Sequence, residues 1–125
     1  MKKIISTPDA PRAIATYSQA VEANGMLFIS GQIAIDPLTG KLIDGGIEEQ
    51  TKQVMKNIGA ILSAAGYTYQ DIVKTGCLLS NMADYSIVNS IYGTFFPKNP
   101  PARAAYAVTS LPMGALIEIE TIACR

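Results

Sequence analysis

The stretch SQAVEANGMLFISGQI, residues 18–33, decides the fold. Two runs with extended character, Ser18–Ala23 and Met26–Ile33, flank the dipeptide Asn24-Gly25. Both turn residues tolerate the left-handed backbone that a two-residue hairpin needs, so the stretch predicts paired antiparallel strands. Toward the N-terminus a short strand is predicted at Lys3–Ser6, then an irregular segment through Pro8, Pro11 and Arg12. Beyond the hairpin, Asp36-Pro37-Leu38-Thr39-Gly40 carries the residues of a loop.

Residues Ile47–Ala65 predict a helix, because Thr51, Val54, Met55, Ile58, Ile61, Leu62 and Ala65 fall on one face at helical spacing. Glu48 and Glu49 suit the positive end of its dipole, and Gly66 supplies a stop. A strand follows at Ile72–Leu79. A second helix is predicted from an Asn81 N-cap, with Asp84 three residues on, to about Phe96 before Pro97. Its apolar face is Tyr85, Val88, Ile91, Tyr92 and Phe95. Strands at Ala102–Thr109 and Ala115–Cys124 close the chain. This order predicts one α+β domain over residues 1–125, a single mixed sheet with both helices on one face.

Strand parity then describes the face that the helices leave bare. In the last strand Ile117, Ile119, Thr121 and Ala123 suit the helix side, while Leu116, Glu118, Glu120 and Ile122 mix carboxylates with apolar groups. A half-apolar sheet face on so small a protein points to oligomerisation, which would leave clefts between subunits as ligand sites.

Composition narrows the chemistry. No histidine is present, which removes the commonest general base near neutral pH and the commonest zinc ligand. Serine–histidine and cysteine–histidine nucleophile systems are excluded with it. Ten basic and ten acidic residues cancel, and the lysines are scattered, so the footprint of a nucleic-acid binder is missing. No apolar run is long enough to span a membrane, and the basic start at Lys2-Lys3 leads into no apolar signal region, so a cytoplasmic protein is expected. Cys77 and Cys124 sit in apolar surroundings and read as buried free thiols.

The chemistry must come from arginine, carboxylates, hydroxyls and backbone. Arg103 follows Pro100-Pro101, whose fixed backbone limits how the strand enters; it is either a carboxylate-binding fork or a solvated surface arginine. Glu118 between Ile117 and Ile119 is costly unless partnered, and reads as a proton shuttle or as half of an interface salt bridge. Gly31 after Ser30 marks either a close ligand approach or a bulge. Asn89 is either an interface hydrogen bonder or an exposed helix residue, and Tyr17 precedes the second strand.

Taken together, the segments Tyr17-Ser18-Gln19-Ala20, Phe28-Ile29-Ser30-Gly31-Gln32-Ile33, Asn89 with Tyr92 and Phe95-Phe96, Pro101-Ala102-Arg103-Ala104-Ala105-Tyr106, Leu111-Pro112 and Ile117-Glu118-Ile119-Glu120 resemble the RidA (YjgF) family. The resemblance implies a chorismate-mutase-like α+β fold and a homotrimer whose sheets form a central barrel. It also implies hydrolysis of reactive enamines and imines, of the 2-aminoacrylate and 2-iminopropanoate or 2-iminobutanoate type, to 2-keto acids and ammonia, without metal or organic cofactor. It places the carboxylate-binding arginine on Arg103 and the water- and proton-handling glutamate on Glu118. Tyr17, Ser30, Gly31 and Asn89 match positions lining the inter-subunit cleft. Arg103 and Glu118 are expected to come from neighbouring strands and meet in a pocket shared by two protomers. Two positions depart from the family pattern: Ala15-Thr16 stand where many members have Gly-Pro, and Ala105 where some have cysteine. Rival readings are a non-catalytic module binding 2-keto acids, and the ribonuclease activity attached to some relatives.

Overall fold

The computed structural model describes residues 1–125, and its strands and helices follow the chain in the expected order. β1 is Lys3–Ile5, β2 Ala20–Ala23 and β3 Met26–Gln32. Asn24 and Gly25 adopt φ of 52° and 74°, the left-handed pair that closes the β2–β3 hairpin in the register Ala23 opposite Met26. A small hairpin of β4 (Ile35–Asp36) and β5 (Lys41–Leu42) frames the loop between them.

α1 spans Ile47–Ala65 as the periodicity predicts. The Glu49 carboxylate accepts from the Gly46 N–H at 2.8 Å, and Gly66 (φ 80°) closes the helix by donating to the Leu62 and Ser63 carbonyls. β6 is Ile72–Leu79. α2 is shorter than predicted, Tyr85–Gly93. Asn81 caps a separate 3-10 turn, Met82–Asp84, by accepting from Ala83 N–H. At the other end the amides of Thr94, Phe95 and Phe96 each bond three residues back, tightening the chain out of α geometry. This turn brings Phe95 and Phe96 onto Tyr69, with Phe96 also against Tyr92 at 4.8 Å between ring centroids. Aromatic packing, not Pro97, ends the helix. β7 is Ala102–Ala107 and β8 is Ile117–Cys124.

Six strands make one mixed sheet in the order β1-β2-β3-β8-β6-β7. All pairs are antiparallel except β6 and β7, which the α2 crossover sets parallel. The last strand is therefore inserted between β3 and β6, and β7 lies at the sheet's edge. Both helices pack on one face over a core that includes Leu27, Val54, Met55, Ile58, Ile61, Leu62, Ile117 and Ile119. Ile117, Ile119, Thr121 and Ala123 do point under the helices. The other face carries the cross-strand rows Phe28–Ile122–Lys74–Ala102, Glu120–Gly76–Ala104 and Glu118–Leu78–Tyr106. Phe28 and Tyr106 lie exposed on it. Cys77 is buried as expected, but Cys124 is exposed: it ends β8 on the parity of Ile122, away from the helices. No helix is long and apolar enough to cross a membrane.

Candidate active site

Glu118 stands on the bare face of β8, and Gly31 lies beneath its carboxylate. A Cβ on Gly31 would fall 2.0 Å from Glu118 Oε2. The bulge reading of Gly31 also holds: β3 advances from Ile29 to Gln32 while β8 advances only from Thr121 to Ile119. The extra residue keeps both Ile29 and Gln32 under the helices and brings the Ser30-Gly31 backbone up against Glu118. Ser30 Oγ donates to the Ser18 carbonyl at 2.6 Å, and its amide donates to the Gln19 carbonyl. Its hydroxyl proton is thus engaged in pinning the bulge, and Ser30 presents only an acceptor to any ligand.

Around Glu118 opens a cleft of about 450 Å³. Tyr17, Ser30 and Gly31 line it, together with Arg12, Ile33 and Met113. Tyr17 is held after a tight Ala15–Tyr17 turn, its amide donating to the Ala15 carbonyl at 2.9 Å. The buried Gln19 side chain fixes the wall behind it, accepting from Thr7 N–H and donating to the carbonyls of Thr7, Ala10 and Pro11. Burial, reinforced by the charge of Glu120, pushes the Glu118 carboxyl above the ordinary glutamate range. No Lys or Arg side chain of the same chain lies within 4.0 Å of the Glu118 or Glu120 carboxylate.

Arg103 sits elsewhere. Its Nη1 donates to Asn89 Oδ1 at 3.0 Å and its Nη2 to the Tyr85 hydroxyl at 2.5 Å. The guanidinium also lies over the rings of Tyr92 and Tyr85, at 4.9 and 5.4 Å from their centroids. Tyr92 is anchored in turn by a 2.7 Å hydrogen bond between its hydroxyl and Thr75 Oγ1. Every one of these partners is neutral. The cage orients the fork and leaves its charge uncompensated, with three of its five donors free for an anion.

The expectation that Arg103 and Glu118 come from neighbouring strands is wrong. β6 lies between β7 and β8. Arg103 pairs with Thr75, which pairs with Thr121, three residues along β8 from Glu118. Two strand spacings and three residues separate their Cα atoms by about 14 Å. The two side chains also leave opposite faces, for the Arg103 row contains the buried Thr75 and Thr121, and α2 covers that side. Sequence parity within the last strand is right; what it could not give is the strand order. Within one chain the candidate residues fall into two separate groups, Tyr17, Ser30, Gly31 and Glu118 in one and Asn89 and Arg103 in the other.

Tyr85 and Tyr92 lie on the helix face that the spacing predicts as apolar, yet their hydroxyls meet Arg103 and Thr75. Their spacing with Asn89, at 85, 89 and 92, does put all three on one side of α2, a signal that a polar reading of the hydroxyls would have found. Arg12, in the irregular N-terminal segment, had no pattern to mark it. Cys77, near Arg103, is buried, and burial raises its thiol pKa against the opposing influence of Arg103 and Thr75, so it is a poor nucleophile. No cluster of three His, Cys, Asp or Glu side chains comes together to hold a metal.

Comparison with known proteins adds to this geometry. The family model described as Endoribonuclease L-PSP matches residues 7–125. The mouse 2-iminobutanoate/2-iminopropanoate deaminase is 50% identical over 125 residues, which are 100% of this chain and 93% of that one. The solved structure of the Rid-family protein YyfA from Yersinia pestis superposes with a TM-score of 0.98 at 49% identity, covering 100% of both chains. That of TdcF from E. coli with bound serine gives 0.94 at 37% identity, covering 98% of each.

Proposed function

We propose, from the premise that the chain belongs to the RidA (YjgF) family, that it is a hydrolytic deaminase converting 2-imino acids of the iminopropanoate and iminobutanoate class to 2-keto acids and ammonia. The observation that carries the reading is Arg103, a preset cation held only by neutral groups, in a chain whose best-placed carboxylate is equally unpaired. A small acid with a reactive C=N carbon would satisfy both. Since the two groups diverge within a chain, the site is completed by a second copy, Arg103 with Asn89 from one protomer and Glu118 with Tyr17, Ser30 and Gly31 from its neighbour. The assembly is a homotrimer in which the bare sheet faces, with Phe28 and Tyr106 exposed, are buried against each other. Residues 1–125 fold as one domain.

The chemistry then follows. Arg103 clamps the substrate carboxylate through paired N–H donors. Glu118, ionised, takes a proton from the attacking water as the water oxygen bonds to the C=N carbon and the π electrons move to nitrogen, and it passes that proton to the nitrogen to give a neutral carbinolamine. Glu118 then takes the carbinolamine hydroxyl proton and delivers it to the nitrogen as the C–N bond breaks and the oxygen electrons form the C=O bond, giving ammonia and the keto acid and leaving Glu118 ionised again. General acid–base help of this sort contributes about 10²–10⁴ in rate, ample for an intermediate already prone to hydrolysis. The serine bound to TdcF is a small amino acid with the carboxylate this clamp requires.

Subunit mixing tests the site. Arg103→Ala and Glu118→Gln chains, each inactive alone in keto-acid release from freshly generated 2-aminoacrylate, are unfolded and refolded together. If each site draws on two protomers, about a quarter of the sites regain both groups and activity returns to about that fraction. A mixture no more active than its components would place both groups in one chain and remove the shared site. Turnover also separates the enzyme from a module that only binds keto acids.

A further inference from the structure

We infer that Tyr85 is a positioning residue that sets the orientation of the Arg103 guanidinium for carboxylate binding, an inference that rests on the clamp reading above. Tyr85 opens α2, one turn before Asn89, so both project to the same side of the helix. Its hydroxyl accepts from Arg103 Nη2 at 2.5 Å, while its ring lies 5.4 Å from the guanidinium carbon. Asn89 Oδ1 holds the other terminal nitrogen at 3.0 Å.

The consequence is geometric. A guanidinium gripped at one nitrogen can still swing about that bond; gripped at both, its plane is fixed. Arg103 stands on an edge strand, where no further strand confines it. The Tyr92 ring supports one side of the group at 4.9 Å but cannot set its rotation, because stacking is indifferent to in-plane turning. The Tyr85 hydroxyl supplies the missing restraint and, being neutral, does so without cancelling the charge that attracts the substrate. A carboxylate in its place would orient the fork equally well and neutralise it.

The probe is pyruvate, the keto acid that the smallest substrate yields, measured by calorimetric titration of the intact oligomer. Tyr85→Phe keeps the ring and removes only the acceptor. Its dissociation constant for pyruvate is expected to rise about tenfold, the usual scale for one hydrogen bond to a charged group. In turnover KM should rise by a similar factor with kcat changed less than about twofold, since loss of ground-state and transition-state binding together leaves kcat unmoved. The control is Arg103→Lys, whose point charge has no fork to orient. In that background Tyr85→Phe should change pyruvate affinity less than about twofold, whereas a general loosening of the fold would weaken both backgrounds alike. Equal pyruvate affinity in Tyr85→Phe and the unaltered protein overturns the role of Tyr85 and leaves the clamp standing. A tenfold loss that persists in the Arg103→Lys background also overturns it, by showing that Tyr85 does not act through the fork. Failure of the unaltered protein to bind pyruvate overturns both.

Discussion

Replacing Gly31 by alanine tests whether the Glu118 carboxylate is where catalysis needs it. The new Cβ would stand 2.0 Å from Oε2, 2.8 Å from Cδ and 3.1 Å from Cγ of Glu118. An ordinary carbon–oxygen contact is about 3.3 Å, so the carboxylate must retreat by about 1.3 Å. Glu118 can do this by rotating its side chain toward the cleft, and Gly31 has no positive φ, so an L-residue fits its backbone without strain. The fold should therefore tolerate the change, with a melting temperature within about 3 °C of the unaltered protein. The chemistry should not: a displacement of about 1 Å at a reacting group costs on the order of 10²-fold. The assay is keto-acid release from 2-aminoacrylate generated in place by a dehydratase, with melting followed by circular dichroism. An alanine variant that melts normally and keeps more than about half its kcat/KM would refute the placement of Glu118 at the reacting centre.

Because Glu118 must be ionised to take a proton and its folded-state pKa is raised, activity should fall as pH drops through that raised value; Glu120→Gln removes the neighbouring negative charge and should shift this acid limb to lower pH, as a pH profile of kcat/KM would reveal. The sign for stability is the opposite of a salt-bridged carboxylate: the folded chain holds the proton more tightly than the unfolded one, so stability declines as pH rises from the ordinary glutamate range through the raised value, and Glu118→Gln should flatten that decline in pH-dependent denaturation. Asn57 in α1 donates to the Ile33 and Ile35 carbonyls at 3.2 and 2.9 Å and accepts from Gln53, pinning the turn beside the cleft. Asn57→Leu leaves those acceptors without their donor and should lower stability by about 2–4 kcal/mol, with melting down by roughly 10 °C; unchanged melting would contradict it.

How far the sequence reaches can be seen in particular elements. The hairpin at Asn24-Gly25, the whole of α1 and the span of β6 were legible because each is set by local rules: left-handed turn residues, helical periodicity, an extended apolar run. The early end of α2 was not, since it depends on Phe95 and Phe96 meeting Tyr69, a residue distant in sequence.

The candidate site divides along the same line. The residues alone rule out histidine chemistry, name Arg103 and Glu118 as candidates, and put Glu118 on one strand face with Glu120. Which groups meet depends on the folded chain: β8 inserts between β3 and β6, Arg103 is caged by Tyr85, Asn89 and Tyr92 on the helix side, and Gly31 lies under Glu118. The physical reason is that alternation within a strand is local and visible in the chain, whereas the order of strands is set by long-range pairing and by the burial of apolar faces, to which no single segment has access.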